Sequence, residues 1–237
     1  MSSNLPLITI ITVVYNAASA IEETIQCVIN LPYPNINYII IDGGSKDGTI
    51  DVIKKYESNL TYWTSEPDRG IYDAMNKGWA KACEDSYILF LGAGDRIISL
   101  PGMSYRQSAD IIYGNVQIGK NGIFHASADI RLRLGNTIHH QALLIKKKVH
   151  PTPPFSIDYP TYGDFDFNQK LLKTGKKFIR DKNFLSYAIE GGVSEAFKPG
   201  EALKIVRKNY GNFWVLVAKM YYFFQKVFHY YNSRGNK

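Results

Sequence analysis

The sequence predicts an α/β protein: a central mixed sheet flanked by helices, followed by a helical tail rich in aromatic and basic residues. Three observations predict it. Short apolar runs of strand length alternate with helical-period segments through roughly the first hundred residues, the pattern of a parallel sheet with crossover helices. Lys120-Asn121-Gly122 then separates two further strand-like runs, which reads as a hairpin and adds antiparallel strands. From Phe197 onward there are 8 Lys/Arg against a single Glu, around a middle dense in aromatic rings.

The elements follow in order. Residues 7–15, LITIITVVY, read as a buried strand, and Ser19 with Glu22 three residues on forms a capping box before a helix carrying Ile21, Ile25, Val28 and Ile29. Pro32 closes that helix. Residues 37–41 form a second strand that ends in Asp42-Gly43-Gly44-Ser45, and Lys46-Asp47-Gly48-Thr49 leads into a helix with Ile50, Ile53 and Tyr56. Residues 60–64 give a third strand. Ile71, Met75, Trp79 and Ala82 recur at three- and four-residue steps, one apolar stripe of a helix, and 87–91 is a fourth strand. Gly92-Ala93-Gly94 ends it and leaves Asp95 at its carboxyl tip, the edge outside which open α/β sheets bind ligands.

Beyond Arg96, residues 109–118 and 122–126 flank the hairpin, and 138–145 read as a strand with a polar start at His139 and His140. Residues 151–162 form a proline- and aromatic-rich loop long enough to be functional. It delivers Gly163-Asp164-Phe165-Asp166 to a helix carrying Phe165, Phe167, Leu171 and Leu172 and ending at Gly175.

Composition bounds the function. With 237 residues, 45% hydrophobic and 21% charged, the chain is globular and makes one large domain or one domain with an appendage. The expected division is 1–196 for the main domain, with halves 1–96 and 97–196, and 197–237 for the tail. The net charge of +7 is uneven: residues 1–130 hold 9 Lys/Arg against 14 Asp/Glu, residues 131–237 hold 19 against 7. A basic, partner-facing second half is implied. Cys27 and Cys83 are the only cysteines, with no metal-ligand spacing and no disulfide framework. The first residues carry no positive charge before a strand-like run, so no signal peptide and a cytoplasmic location are expected.

Two nucleotide-binding classes are disfavoured. Tyr15-Asn16-Ala17-Ala18 lacks the glycines of a dinucleotide turn, and Gly-Lys-Ser/Thr is absent. No nucleic-acid module is recognisable despite the basic tail. In the tail, Lys219, Gln225 and Lys226 interrupt the aromatic run over 213–231, so it falls short of the roughly 18 apolar residues of a spanning helix. An interfacial helix on an anionic leaflet fits it, with packing on the main domain or a second subunit as the other reading.

Thr12-Val13-Val14-Tyr15-Asn16, then Ile41-Asp42-Gly43-Gly44-Ser45-Lys46-Asp47-Gly48-Thr49, then Asp68-Arg69-Gly70-Ile71-Tyr72-Asp73-Ala74-Met75-Asn76-Lys77-Gly78, then Leu91-Gly92-Ala93-Gly94-Asp95 stand in one order. This set resembles the family 2 glycosyltransferases, and within them the bacterial O-antigen and exopolysaccharide enzymes. The resemblance implies a GT-A fold that binds a nucleoside-diphosphate sugar across the strand ends. It implies an inverting enzyme that moves a sugar from a UDP-linked donor to a lipid-linked saccharide on the inner face of the cell membrane.

It also implies roles. Thr12, Tyr15 and Asp42 match positions that hold base and ribose; Asp42 as a turn cap is the structural alternative. Arg69 approaches the diphosphate or pairs at the surface with Asp68 or Asp73. Asn76 braces the metal-site loop. Asp95 matches the last carboxylate of the DxD-like motif and ligates Mn2+ or Mg2+, but Gly94 stands where relatives carry another carboxylate. Hence the rival reading of a sugar-nucleotide-binding scaffold that has lost catalysis. Asp164 matches the catalytic base, with Asp166 in reserve and a helix-start aspartate as the plain alternative. His140, more than His139, is expected on the acceptor side. Gly191-Gly192-Val193-Ser194 resembles the family's closing segment.

Overall fold

The computed structural model describes residues 5–103, 109–120, 122–191 and 198–235, with side chains on the last helix described through residue 226. The closing segment 192–194 lies outside them. Nine strands form one sheet: β1 (Ile8–Val14), β2 (Ile36–Asp42), β3 (Tyr62–Ser65), β4 (Tyr87–Gly92), β5 (Arg96–Ser99), β6 (Ile111–Ile118), β7 (Ile123–Phe124), β8 (Leu143–Lys146) and β9 (Phe178–Ala188). Six helices cover it: α1 (Ala18–Ile29), α2 (Thr49–Lys55), α3 (Ile71–Lys81), α4 (Gly163–Lys173), α5 (Pro199–Tyr210) and α6 (Asn212–Gly235).

The strand order is β3-β2-β1-β4-β8-β6-β9-β5, with β7 paired to β6 off that path. β1 runs parallel to β2 and β4, whereas β8 turns antiparallel against β4 and β6, so the sheet is mixed. Every residue of β1 is buried, as a strand covered on both faces requires. Its register sets Val14 beside Asp42 and Val13 beside Gly92, which aligns three strand ends along one edge. That edge carries Tyr15, the loop after Asp42 and the loop of Asp95.

Four readings of the sequence change. The capping box does not form: Ala17 is the N-cap of α1, and no side chain caps the helix locally. The exposed donors turn instead to the neighbouring loop, Ala17 N–H to Thr49 Oγ1 at 2.9 Å and Ala18 N–H to Asp47 Oδ2 at 3.0 Å. The strand read over 138–145 begins only at Leu143, after a single 3-10 turn at His140–Ala142. Ser186 Oγ donates to the Gln141 carbonyl while the Gln141 amide reaches Asp95, and these bonds hold the backbone in the turn. Strand β9 had no counterpart in the sequence reading, because Arg180-Asp181-Lys182-Asn183 interrupts its apolar pattern with polar residues. The third strand starts at Tyr62 rather than Leu60.

The tail does not stand apart. Ala202, Ile205 and Val206 of α5 and Val215 and Ala218 of α6 are buried in the same cluster as Met75, Trp79 and Phe165. Glu201 of α5 accepts from the N–H groups of Thr161 (2.9 Å) and Tyr162 (2.7 Å), which fixes the end of the long loop just before α4. Among the described residues no helix is long and apolar enough to cross a membrane.

Close contact between α3 and the sheet depends on Gly78. A Cβ there would lie 2.4 Å from Ile11 Cγ2, and Ile11 is fully buried and has no room to yield. In an open helix Gly→Ala would gain up to about 1 kcal/mol, but forcing a methyl into a packed core costs about 1–3 kcal/mol. Gly78→Ala is therefore expected to lower stability in urea denaturation; a raised midpoint would contradict this packing.

Candidate active site

A cavity of about 350 Å³ opens at the carboxyl ends of β1 and β4, walled by Tyr15, Ile71, Tyr72, Asp95, His140 and Asp164, among others. Two carboxylates read from the sequence as acting together thus share one space, although 69 positions separate 95 from 164 in the chain.

Asp164 sits in the first turn of α4 and is buried. Gly163 makes this placement feasible, since a Cβ on it would fall 2.7 Å from the Tyr72 ring. The carboxylate accepts from Tyr72 Oη at 3.2 Å and from Asn136 Nδ2 at 2.9 Å, with His140 Nδ1 at 3.6 Å. Burial pushes this carboxyl up, but His140, His139 and the Tyr72 hydroxyl more than offset it, and it rests below the ordinary carboxylate range. It is therefore ionised near neutral pH. An ionised carboxylate in a cavity can take a proton from a hydroxyl brought within hydrogen-bond reach.

Asp95 occupies the strand tip, and only 4% of it is exposed. Its Oδ2 accepts from Gly92 N–H (2.7 Å) and Gln141 Nε2 (3.1 Å), and its Oδ1 from Ile189 N–H (3.1 Å). Burial pushes its carboxyl above the ordinary value, against the lowering effects of His140 and these donors. Gly94 has φ +92°, and a Cβ there would stand 3.0 Å from Ile189, so backbone and neighbour both favour glycine.

These residues fit a divalent ion in one way only. Among the described residues no group of three or more His, Cys, Asp or Glu is arranged to hold a metal. A carboxylate offers about four acceptor sites and Asp95 uses three, which leaves one for an ion whose other oxygens come from phosphate and water. An ion carried by a diphosphate fits; an ion held by protein alone does not.

The other sequence-predicted residues divide. Tyr15 is 64% exposed at the cavity wall and presents a ring face. Arg69 lies at the surface and pairs with Asp73 at 2.8 Å. Thr12 is fully buried, its hydroxyl 3.1 Å from Tyr38 Oη, and does not reach the cavity. Asp42 is also fully buried: its oxygens accept from Gly44 N–H, Ser45 N–H and the hydroxyls of Ser45 and Ser65, so it shapes its loop. Neither is among the residues that line the cavity. Asn76 exchanges two hydrogen bonds with the backbone of Phe155 (2.9 and 3.0 Å) and so braces the long loop, not the Asp95 loop. Asp166 is fully buried, 2.6 Å from Lys170 Nζ, and is outside the lining of the cavity. His140 lies between Asp95 and Asp164 and acts on both.

Sequence reasoning missed Tyr72 and Asn136 as partners of Asp164; neither lies near it in the chain, and no local pattern marks them. Asp68 Oδ2 and the Tyr15 ring both stand close to the backbone of Gly43.

Comparison with known proteins bears on the fold and the class of protein. Residues 9–97 match Glycosyl transferase family 2. A relative from Mycobacterium bovis (strain BCG / Pasteur 1173P2), a PGL/p-HBAD biosynthesis glycosyltransferase, is 26% identical over 214 residues, covering 84% of this chain and 83% of its own. Among solved structures, S. aureus TarS superposes with a TM-score of 0.67 at 16% identity over 85% of this chain, which spans only 38% of that protein. TarS 1–349 in complex with UDP-GlcNAc gives 0.62 at 15% identity, covering 90% of this chain and 66% of that one. The mannosyltransferase PcManGT from Pyrobaculum calidifontis, in complex with GDP-Man and Mn2+, gives 0.60 at 19% identity, covering 78% and 57%. Residues 9–97 are thus similar to the family 2 glycosyltransferases, and the chain as a whole has the GT-A fold of these glycosyltransferase structures.

Proposed function

We propose that the chain transfers a sugar, with inversion, from a UDP-linked donor to a hydroxyl of a lipid-linked saccharide at the inner surface of the cell membrane, in surface-polysaccharide synthesis. The observation that carries it is Asp164, an ionised carboxylate facing the cavity that opens beside the strand-end loops. A nucleotide-sugar donor is in keeping with the UDP-GlcNAc and GDP-Man complexes of TarS and PcManGT.

In this reading the Tyr15 ring stacks on the base. The amino end of α3, whose Ile71 and Tyr72 line the cavity, offers its positive dipole end to the diphosphate. Arg69 adds its guanidinium, since an exposed pair such as that with Asp73 is weak and readily exchanged. Asp164 accepts the proton of the acceptor hydroxyl as that oxygen bonds to the anomeric carbon and the bond to the diphosphate breaks. Tyr72 and Asn136 keep the carboxylate aimed throughout. A divalent ion bound by Asp95 together with the donor phosphates would neutralise charge on the departing diphosphate.

The membrane part of the reading rests on α6. Phe213, Leu216, Met220, Phe223 and Phe224 are between 54% and 70% exposed and recur at helical spacing, with Lys219 and Lys226 beside them. An apolar stripe with basic neighbours suits the headgroup region of an anionic leaflet.

Asp164→Asn is expected to retain UDP affinity and lose transfer by about 100- to 10,000-fold. Calorimetry with UDP and a donor-turnover assay measure the two; near-normal turnover would remove Asp164 as the base. Mn2+ alone is expected to give no binding heat, whereas UDP with Mn2+ binds, and Asp95→Ala weakens that binding by about tenfold or more. Equal affinity in the variant would end the metal role of Asp95. The full chain should float with phosphatidylglycerol-containing vesicles, and the triple change Phe213→Ser, Phe223→Ser and Phe224→Ser should leave it in the dense fraction. Flotation that survives the triple change refutes the stripe as the contact.

A further inference from the structure

We infer that a second cavity, which meets the first at Asp164, seats the sugar ring that accepts the transferred unit, and that it selects a ring without charge. This rests on the transfer reaction proposed above. The cavity has a volume of about 240 Å³, and its walls include Asn136, Tyr162, Asp164, Tyr221, Tyr222 and Gln225. Asp164 is the one residue that lines both cavities, so a ring in the second would hold its hydroxyl against a carboxylate that also faces the first.

The lining defines the ligand. Three phenol rings give flat faces that pack on the C–H face of a sugar, and the Asn136 and Gln225 amides and the Thr137 hydroxyl bring polar groups to the ring's edge. No Lys or Arg is among the lining residues. His139, also in the wall, is held below its ordinary value by burial, partly opposed by Asp164, and therefore adds no positive charge near neutral pH. A phosphate or carboxylate placed there would meet the Asp164 anion with no cation to offset it, which excludes charged sugars and lipid phosphates from the pocket. The volume lies below the roughly 300–1,000 Å³ of sites for drug-sized ligands, so one ring fits rather than an oligosaccharide.

Much of the wall comes from α6. Tyr221, Tyr222 and Gln225 line the cavity, while the intervening Phe223 and Phe224 are exposed in the outward stripe. Gln225 Nε2 donates to Tyr221 Oη at 2.7 Å, which sets the two as a pair.

Saturation-transfer NMR on the full chain with UDP, using methyl gluco-, galacto- and mannopyranosides and methyl glucuronide as probes, tests the inference. At least one neutral glycoside should bind and the glucuronide should not. Tyr221→Ala and Gln225→Ala should each weaken the neutral binding by about fivefold or more. Gln225 is exposed, so its truncation leaves the fold intact, and the thermal midpoint checks this. Glucuronide binding as strong as neutral binding, neutral binding that neither variant weakens, or no neutral binding at all would overturn the assignment. UDP release from UDP-sugars in water by the unaltered chain tests the transfer reaction separately. Hydrolysis without glycoside binding overturns the cavity assignment alone; variant-sensitive glycoside binding without hydrolysis of any donor overturns the transfer reading alone.

Discussion

The carboxylate of Asp164 is the point on which the structure turns. A charge buried without partners costs more than most domains can sustain, so its surroundings must be built for it. Tyr72 comes from α3, beside the parallel strands, and Asn136 and His140 come from the segment between β7 and β8. Holding that one group ionised ties the first hundred residues to the later ones. The loop before it is fixed by Asn76 at Phe155 and by Glu201 at Thr161 and Tyr162, so α3 and α5 both determine where α4 begins.

This arrangement makes the tail part of the catalytic domain's mechanics. Glu201 lies on α5, and α5 is held by burial of Ala202, Ile205 and Val206 in the main core. The helix that follows then presents residues in two directions: inward to the second cavity and outward in the apolar stripe. Residues of α5 and α6 thus pack into the main core, as the packing alternative for the tail would have it.

Much of the architecture was legible in the sequence because it is local. The buried strands β1, β2 and β4 are continuous apolar runs, α3 declares itself by its period, and Lys120-Asn121-Gly122 marks the β6–β7 hairpin. Asp95 and Asp164, which line one cavity, each stand in a short motif at an element's end and so could be singled out locally. What failed to be legible depends on direction and distance. The partners of Thr12 and Asp42 belong here: Tyr38 and the 43–45 loop meet their polar atoms through packing that no local pattern states. Strand β9 is half polar and forms because β5 and β6 supply its partners from far along the chain.

Gly94 shows how one substitution in a motif is to be weighed. Read as a missing ligand, it argues for lost function. In the folded chain it occupies a positive-φ position against Ile189, while Asp95 beside it keeps its place at the cavity through three donors. The loop is thus complete as a piece of structure without a second carboxylate. Its burden of negative charge is also lower, and this matters because Asp95 and Asp164 already line the cavity. A second carboxylate at 94 would raise the cost of bringing a diphosphate to this edge unless an ion came with it. With glycine, an ion arriving with a diphosphate would have one carboxylate and the phosphates to hold it.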